Sequence, residues 1–186
     1  VLAAQAAIRD AGETCPEIVF APNWHDSEGY VAASAARIAA AFESIPSAER
    51  ATTTLVFTAH SIPSEMASTS RYVEQFTHSA ALIAERLGHA RWQLAYQSRS
   101  GRPQDPWLEP DINLVVEQLA AAGERRIVVA PIGFVCDHVE VLYDLDDEAQ
   151  ATAARCGIEM TRAGTVSDHH DFIAMLAGLV KHAWTT

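Results

Sequence analysis

Two groups of residues in this chain have the chemistry to hold a cation or move a proton. The first is an acidic series, Glu140, Asp144 and Glu148, spaced four apart. The second is His60, in Thr58-Ala59-His60-Ser61-Ile62-Pro63, directly after an apolar run. On a helix a step of four residues turns about 400° and rises roughly 6 Å, so the three carboxylates share one face. Such a row repels itself unless a cation or water lies along it. A solvated face, with acids favoured near the helix N-terminus by the dipole, fits this stretch equally well. An imidazole facing a carboxylate does more. Together they hold a borderline divalent metal, or accept protons from a bound N–H acid. The plain alternative for His60 is a hydrogen-bonded structural residue. His138, two residues before Glu140 at a helix start, is read as orienting the turn or supporting Glu140 from behind.

Positioning these groups requires a scaffold, and the hydrophobic pattern supplies one. The pattern predicts a helix over 1–11, a strand at Ile18–Ala21, and a helix from an Ser27 cap to about Phe42. Strands follow at Thr53–Phe57, Arg91–Tyr96 and Ile127–Ile132, with a weaker one at Ile158–Arg162. Between them lie a helix over Tyr72–Leu87 ended by Gly88, and one from Glu109 or Asp111 to Ala122 stopped by Gly123. The acidic helix runs to about Arg155, and Ser167-Asp168 caps a closing helix to about His182. Strands alternating with helices predict an α/β fold with a parallel sheet. His60 and the acidic stretch both follow C-terminal strand ends, which share one edge of such a sheet. The polar, Trp107-bearing loop from Gln97 to Asp111 is long enough to be functional.

Composition narrows the classes. The 186 residues suffice for a domain with a substantial core, and 49% hydrophobic with 20% charged is an ordinary globular balance. A net charge of −11 argues against nucleic acid and anionic membrane surfaces, and favours cations. No apolar run reaches the roughly 20 residues that span a bilayer, and no signal peptide is expected ahead of the first helix. Cys15, Cys136 and Cys156 are too few and scattered for a disulfide framework, so a cytoplasmic location is expected. His169-His170 point about 100° apart on a helix, and His25, His78, His89 and His182 lack ligand-like spacing; packing roles are expected for them. Trp92 and Tyr96 are expected in the core. Phosphate loops, paired CxxC motifs and nucleophile elbows are not found in the sequence.

Three ordered motifs carry a resemblance to a known family. They are Phe57-Thr58-Ala59-His60-Ser61-Ile62-Pro63; Tyr96-Gln97-Ser98 leading to Pro106-Trp107-Leu108-Glu109-Pro110-Asp111; and Pro131-Ile132-Gly133-Phe134-Val135-Cys136-Asp137-His138-Val139-Glu140-Val141-Leu142-Tyr143-Asp144. Over nearly its whole length the chain resembles the C-terminal part of ferrochelatases, with Ser100–Asp105 and Glu109 most like the actinobacterial branch. The resemblance implies a chelatase-like (Rossmann-like) parallel sheet flanked by helices, one domain plus part of a second. Residues 1–24 would end an N-terminal domain, 25–163 form the metal-bearing C-terminal domain, and 164–186 hold the closing helix.

The implied reaction is insertion of Fe(II), a substrate, into a porphyrin with loss of two pyrrole protons and no redox step. In the actinobacterial branch the tetrapyrrole is expected to be coproporphyrin III rather than protoporphyrin IX. By resemblance, His60 and Glu140 are the catalytic and metal-binding pair. Asp144 and Glu148 are a supply line for metal or protons on a helix with π-type winding, where about 4.4 residues per turn suits a four-residue spacing. His138, Asp137 and Ser61 would stand behind the pair, and Trp107, Tyr72 and Pro63 would contact the porphyrin. The resemblance leaves a [2Fe–2S] cluster open, since family members that carry one use cysteines in a C-terminal tail. A monomer or weak dimer is expected. The departures are Ser70-Arg71-Tyr72 in place of the usual Gly-Asp-Pro-Tyr, and Cys136 where a packed small residue is usual. Rival readings are a non-catalytic metal- or haem-binding fragment and a related cobalt or nickel chelatase. The latter typically use a second histidine ligand that finds no matching position here.

Overall fold

The structure, a computed structural model, describes residues 6, 7, 10, 19–102 and 104–185. Its frame is four apolar segments that become parallel strands: β1 (Thr54–His60), β2 (Trp92–Gln97), β3 (Arg126–Ala130) and β4 (Glu159–Arg162), in the order β2-β1-β3-β4. β1 is central. It pairs with β2 from Leu55↔Trp92 to His60↔Gln97, and with β3 from Thr54↔Ile127 to Phe57↔Ala130. The helices are α1 (Glu28–Glu43), the short α2 (Ser47–Arg50) and α3 (Ser64–Ser68), α4 (Tyr72–Leu87) and α5 (Ile112–Ala121). The acidic helix, α6, is α-helical over Val139–Val141, π-helical over Leu142–Ala149 and α-helical again over Gln150–Cys156. α7 (His170–Thr185) closes the chain.

Alternation along the strands splits the core in two. Leu55, Phe57 and Ala59 of β1 join Tyr96, Val128 and Ala130 against α1, α4 and α7, through Tyr30, Ile38, Phe76, Ile83 and Phe172. Val56, Ala95, Ile127 and Val129 face the other way, onto Ile112, Val115 and Val116 of α5. Val141, Leu145, Ala149 and Ala153 of α6 complete that layer. These four recur every four residues, and the first three stand one position after Glu140, Asp144 and Glu148, so burial of the apolar stripe sets where the carboxylates point. Phe57, Leu55 and Leu145 are fully buried, each worth about 1.5–3 kcal/mol over leaving it exposed.

Several expected boundaries shift, each for a local reason. β3 stops at Ala130 because Pro131 has no N–H to extend the ladder. β1 extends to His60, one register pair beyond Ala59↔Tyr96. The helix over 1–11 lies largely outside the described residues, as does Ile18. Val19, Phe20 and Ala21 are described and form no strand; Val19 and Phe20 are 52% and 45% exposed, and β-branching without a partner edge does not make a strand. Ser167-Asp168 do not cap the last helix. Ser167 adopts φ 37°, Asp168 pairs with Arg37 at 2.8 Å, and α7 starts at His170, where the His169 ring accepts from the Asp171 N–H at 3.3 Å. Cys136 is exposed rather than packed.

Burial also fixes the tyrosines. The Tyr30 hydroxyl donates to the Ile132 carbonyl at 2.6 Å, and burial drives its pKa far above the ordinary 10.0. Burial, helped by neighbouring Tyr96 and opposed by a hydrogen bond to the His60 carbonyl, pushes Tyr72 up to about 12. Tyr96 is raised by burial as well. Above pH 10 the unfolded chain therefore sheds phenolic protons that the folded chain keeps, and stability falls as pH rises from there toward 12. Urea midpoints at about pH 8 and about pH 11 are expected to show that drop, with tyrosinate absorbance of the folded chain lagging the unfolded one. Equal midpoints would contradict it.

Candidate active site

Strand order places the site. β1 connects outward to β2, the chain then crosses back to β3 on the other side, and the switch point falls between the C-terminal ends of β1 and β3. His60 ends β1 and the acidic helix follows β3, so neighbouring strand ends deliver both groups. The His60 Nδ1 lies 2.5 Å from the Ser61 carbonyl. A carbonyl only accepts, so Nδ1 carries the proton and Nε2 keeps its lone pair for a metal or a proton. Ser61 is itself held, its N–H on the Gln97 carbonyl at 2.7 Å and its hydroxyl on the Leu108 carbonyl at 2.8 Å. Behind His60, the Tyr72 hydroxyl donates to its backbone carbonyl at 2.9 Å.

Phe134 links the histidine to the acidic helix, with ring centroids 6.3 Å from His60 and 5.3 Å from His138. His138 is the N-cap of α6. Its Nδ1 accepts from the Glu140 N–H at 3.3 Å and lies 3.9 Å from the Glu140 carboxylate. Glu140 is exposed, Asp144 half-buried and Glu148 exposed. The π winding expected by resemblance is present and includes Asp144 and Glu148. Its turn brings residues five apart together: the Glu148 carboxylate beside Tyr143 holds that phenol above its usual range, first by its charge and then by accepting its hydrogen bond.

Asp144 is anchored, which the sequence reading missed. It accepts from Ser98 Oγ and, at 3.4 Å, from Gln97 Nε2; the Gln97 Oε1 accepts from the Thr58 hydroxyl at 2.7 Å. Thr58, two residues before the end of β1, and Gln97, the last residue of β2, are buried polar residues. A glutamine on a buried strand end was the available signal, because such a group needs partners. Ser98, at φ 63°, turns the chain so its hydroxyl reaches the carboxylate.

Asp137 takes a different place from Glu140. It pairs with Arg162 at the end of β4 at 3.0 Å, and Arg162 also grips Asp146 at 2.6 and 2.9 Å, tying α6 to the sheet. Pro63 bridges Trp107 in antiparallel fashion, and the Leu108 N–H to Ile62 carbonyl and Ser64 N–H to Pro106 carbonyl bonds sew the loop onto the turn after His60. The Trp107 indole packs under Gly101, where a Cβ would stand 2.3 Å from the ring, and its N–H is buried with no partner. Trp92 and Tyr96 pack on the core as expected.

An apolar cavity of about 320 Å³ opens at the same sheet edge, at the low end of small-molecule pockets. Ala59, Gly133, Tyr72 and Phe76 line it, with Trp24, His25 and Tyr30; Pro63 and Trp107 do not. Ala59 and Tyr30 belong to the α1/α4 core, whereas Phe134 beside His60 belongs to the α5/α6 core, so cavity and imidazole flank the end of β1 from two sides.

The family model described as Ferrochelatase matches residues 1–184. A Ferrochelatase of Rhodopirellula baltica is 42% identical over 176 residues, covering 94% of this chain and 50% of that protein. Coproporphyrin III ferrochelatases of Propionibacterium freudenreichii and Mycobacterium ulcerans are 43% and 42% identical, covering 100% and 94% of this chain, and 54% and 51% of theirs. The chain thus spans about half the length of the curated relatives it matches. A multi-domain protein of Deinococcus radiodurans, described as structurally similar to chelatases, aligns over 81% of this chain and 28% of its own, with a TM-score of 0.51 at 17% identity. That likeness shows the fold. The family match and the sequence identities go further: this chain belongs to the ferrochelatase family.

Proposed function

We propose that the chain supplies the metal- and proton-handling wall of an iron chelatase, a lyase of haem biosynthesis. The reaction inserts Fe(II) into a porphyrin, with coproporphyrin III the favoured tetrapyrrole. One Fe(II) enters, two pyrrole N–H protons leave, and no electron is transferred. The supporting observation is the free Nε2 of His60, set by the Ser61 carbonyl, at the same sheet edge as the Glu140, Asp144 and Glu148 row.

In this reading His60 Nε2 and Glu140 take the pyrrole protons or hold Fe(II). Asp144, fixed by Ser98 and Gln97, is the middle stage, and exposed Glu148 opens the row to solvent. Tyr72, Pro63 and Trp107 form the rim around His60 that the macrocycle meets. Exposed Val139, Leu142 and Tyr143 beside the acids give it an apolar surface. His138 and Ser61 hold Glu140 and His60 in place, and Asp137 acts at longer range by anchoring α6 through Arg162. Residues 25–163 form the metal-bearing domain, 1–24 end a preceding one and 164–186 close the fold. The protein acts in the cytoplasm as a monomer or weak dimer. Among the described residues no helix is long and apolar enough to cross a membrane.

The test is anaerobic mixing of Fe(II) with coproporphyrin III or protoporphyrin IX, using the chain extended to its relatives' length. Loss of free-base absorbance is expected, faster with coproporphyrin III. No insertion with either porphyrin would overturn the reading. Faster insertion with protoporphyrin IX would overturn the choice of tetrapyrrole.

A further inference from the structure

Fifty-three positions apart in sequence, His25 and His78 meet in the fold. His25 lies just before α1 and His78 on α4, with ring centroids 5.5 Å apart and His25 Nε2 3.4 Å from His78 Nδ1. Asp26 completes a set whose ligand atoms all lie within 4.8 Å of one another. Two Zn–N bonds of roughly 2.0–2.1 Å at a tetrahedral angle hold their nitrogens about 3.4 Å apart, so the observed spacing already matches a bidentate bite. Two imidazoles and a carboxylate are a donor set for borderline divalent ions.

We propose that His25, His78 and Asp26 form a second divalent-metal site, separate from His60 and Glu140. Two further observations support it. His25 Nδ1 is buried without a hydrogen-bond partner, 3.8 Å from Asp26 Oδ1, so a metal at Nε2 leaves the ring proton on Nδ1, facing that carboxylate. The Ser79 hydroxyl donates to the His25 carbonyl at 2.6 Å, fixing one ligand's backbone onto the helix that carries the other. Glu74, one turn before His78 on α4, is held by Arg71 at 2.6 Å. With Glu74 paired to Arg71, Asp26 supplies the negative charge that a cation held between two neutral imidazoles meets.

His25 lines the cavity on the α1/α4 side, whereas the His60 ring neighbours Phe134 on the α5/α6 side. The two sites can therefore be loaded and disabled independently, and this inference stands whether or not the chain supports porphyrin metallation. The competing explanation for the 3.4 Å contact is an N–H···N hydrogen bond between the rings, which needs no metal.

Calorimetric titration with Zn(II) alone separates them, using the 186-residue chain with His60→Ala and Glu140→Gln to silence the other site. One equivalent is expected to bind still, shifting the proton resonances of His25 and His78 together. Adding His78→Ala, at an exposed position, is expected to weaken Zn(II) by about tenfold or more at unchanged thermal midpoint. Asp26→Asn is expected to weaken it less, by several-fold. Absence of Zn(II) binding in the silenced chain would overturn the site. So would binding that neither His78→Ala nor Asp26→Asn weakens.

Discussion

Replacing His60 with alanine is expected to reduce porphyrin metallation by about 10³-fold or more, and Glu140→Gln by about 10²-fold. The reasoning starts from the tautomer. With Nδ1 on the Ser61 carbonyl, Nε2 is the lone pair that the His60 imidazole offers at the end of β1. Alanine removes the base and any metal bond together, and among the described residues no other histidine ring packs against it to substitute. His138 is separated by the Phe134 ring, and its Nδ1 is engaged with the Glu140 N–H. Glutamine at 140 keeps the shape but neither accepts a proton at neutral pH nor carries charge, so part of the function survives. The measurement is kcat for Fe(II) insertion in the chain extended to its relatives' length, with KM for porphyrin as control. A fall in kcat at nearly constant KM supports a role in chemistry; a rise in KM alone would assign His60 to binding. Activity undiminished by both substitutions would remove the proposed function altogether.

What was legible in the sequence follows from what is local. The end of α4 at Gly88 is written in a residue that takes φ 63°, and the start of α5 in Asp111, whose carboxylate accepts the Asn113 N–H at 2.8 Å. Those signals act within a few residues, so a one-dimensional reading finds them. The acidic row was visible for the same reason, since a helix converts spacing directly into a face. The contact of Asp144 with Gln97 and Ser98 was not, because it depends on β2 lying beside β1 while α6 returns across that edge. The meeting of the His25 and His78 rings, 5.5 Å apart, was not legible either, because sequence spacing says nothing of residues joined by tertiary packing. The packing of α1 on α4, far apart along the chain, brings the two together. Ser167-Asp168 shows the opposite failure: good capping residues were present, but Arg37 claimed Asp168 and the helix began later.

Gly133→Ala is expected to destabilise the fold by about 1–3 kcal/mol and to impair the site beyond that loss. Gly133 is exposed and has no positive φ, so neither burial nor a left-handed turn demands glycine there. The demand is close approach. A Cβ at 133 would stand 2.5 Å from the Ala59 Cβ and 2.6 Å from the Ala59 Cα. The second contact is with backbone, which cannot rotate away. Relief requires the Pro131–Phe134 turn to lift off the end of β1, breaking the Gly133 N–H to Thr58 carbonyl bond at 3.0 Å. That same movement draws Phe134 from His60 and parts the two strand ends at the switch point. Thermal unfolding should show it, since for a chain of this size each kcal/mol shifts the midpoint by about 2–4 °C. Ala59→Gly removes only the Cβ contact, so the double variant should recover part of the loss and no more, a coupling that a double-mutant cycle reads directly. An unchanged midpoint for Gly133→Ala would mean that the turn yields without cost and that the strand ends are not held together by this contact. Full recovery in the double variant would instead place the whole clash on the Ala59 methyl, leaving the backbone of β1 free of strain.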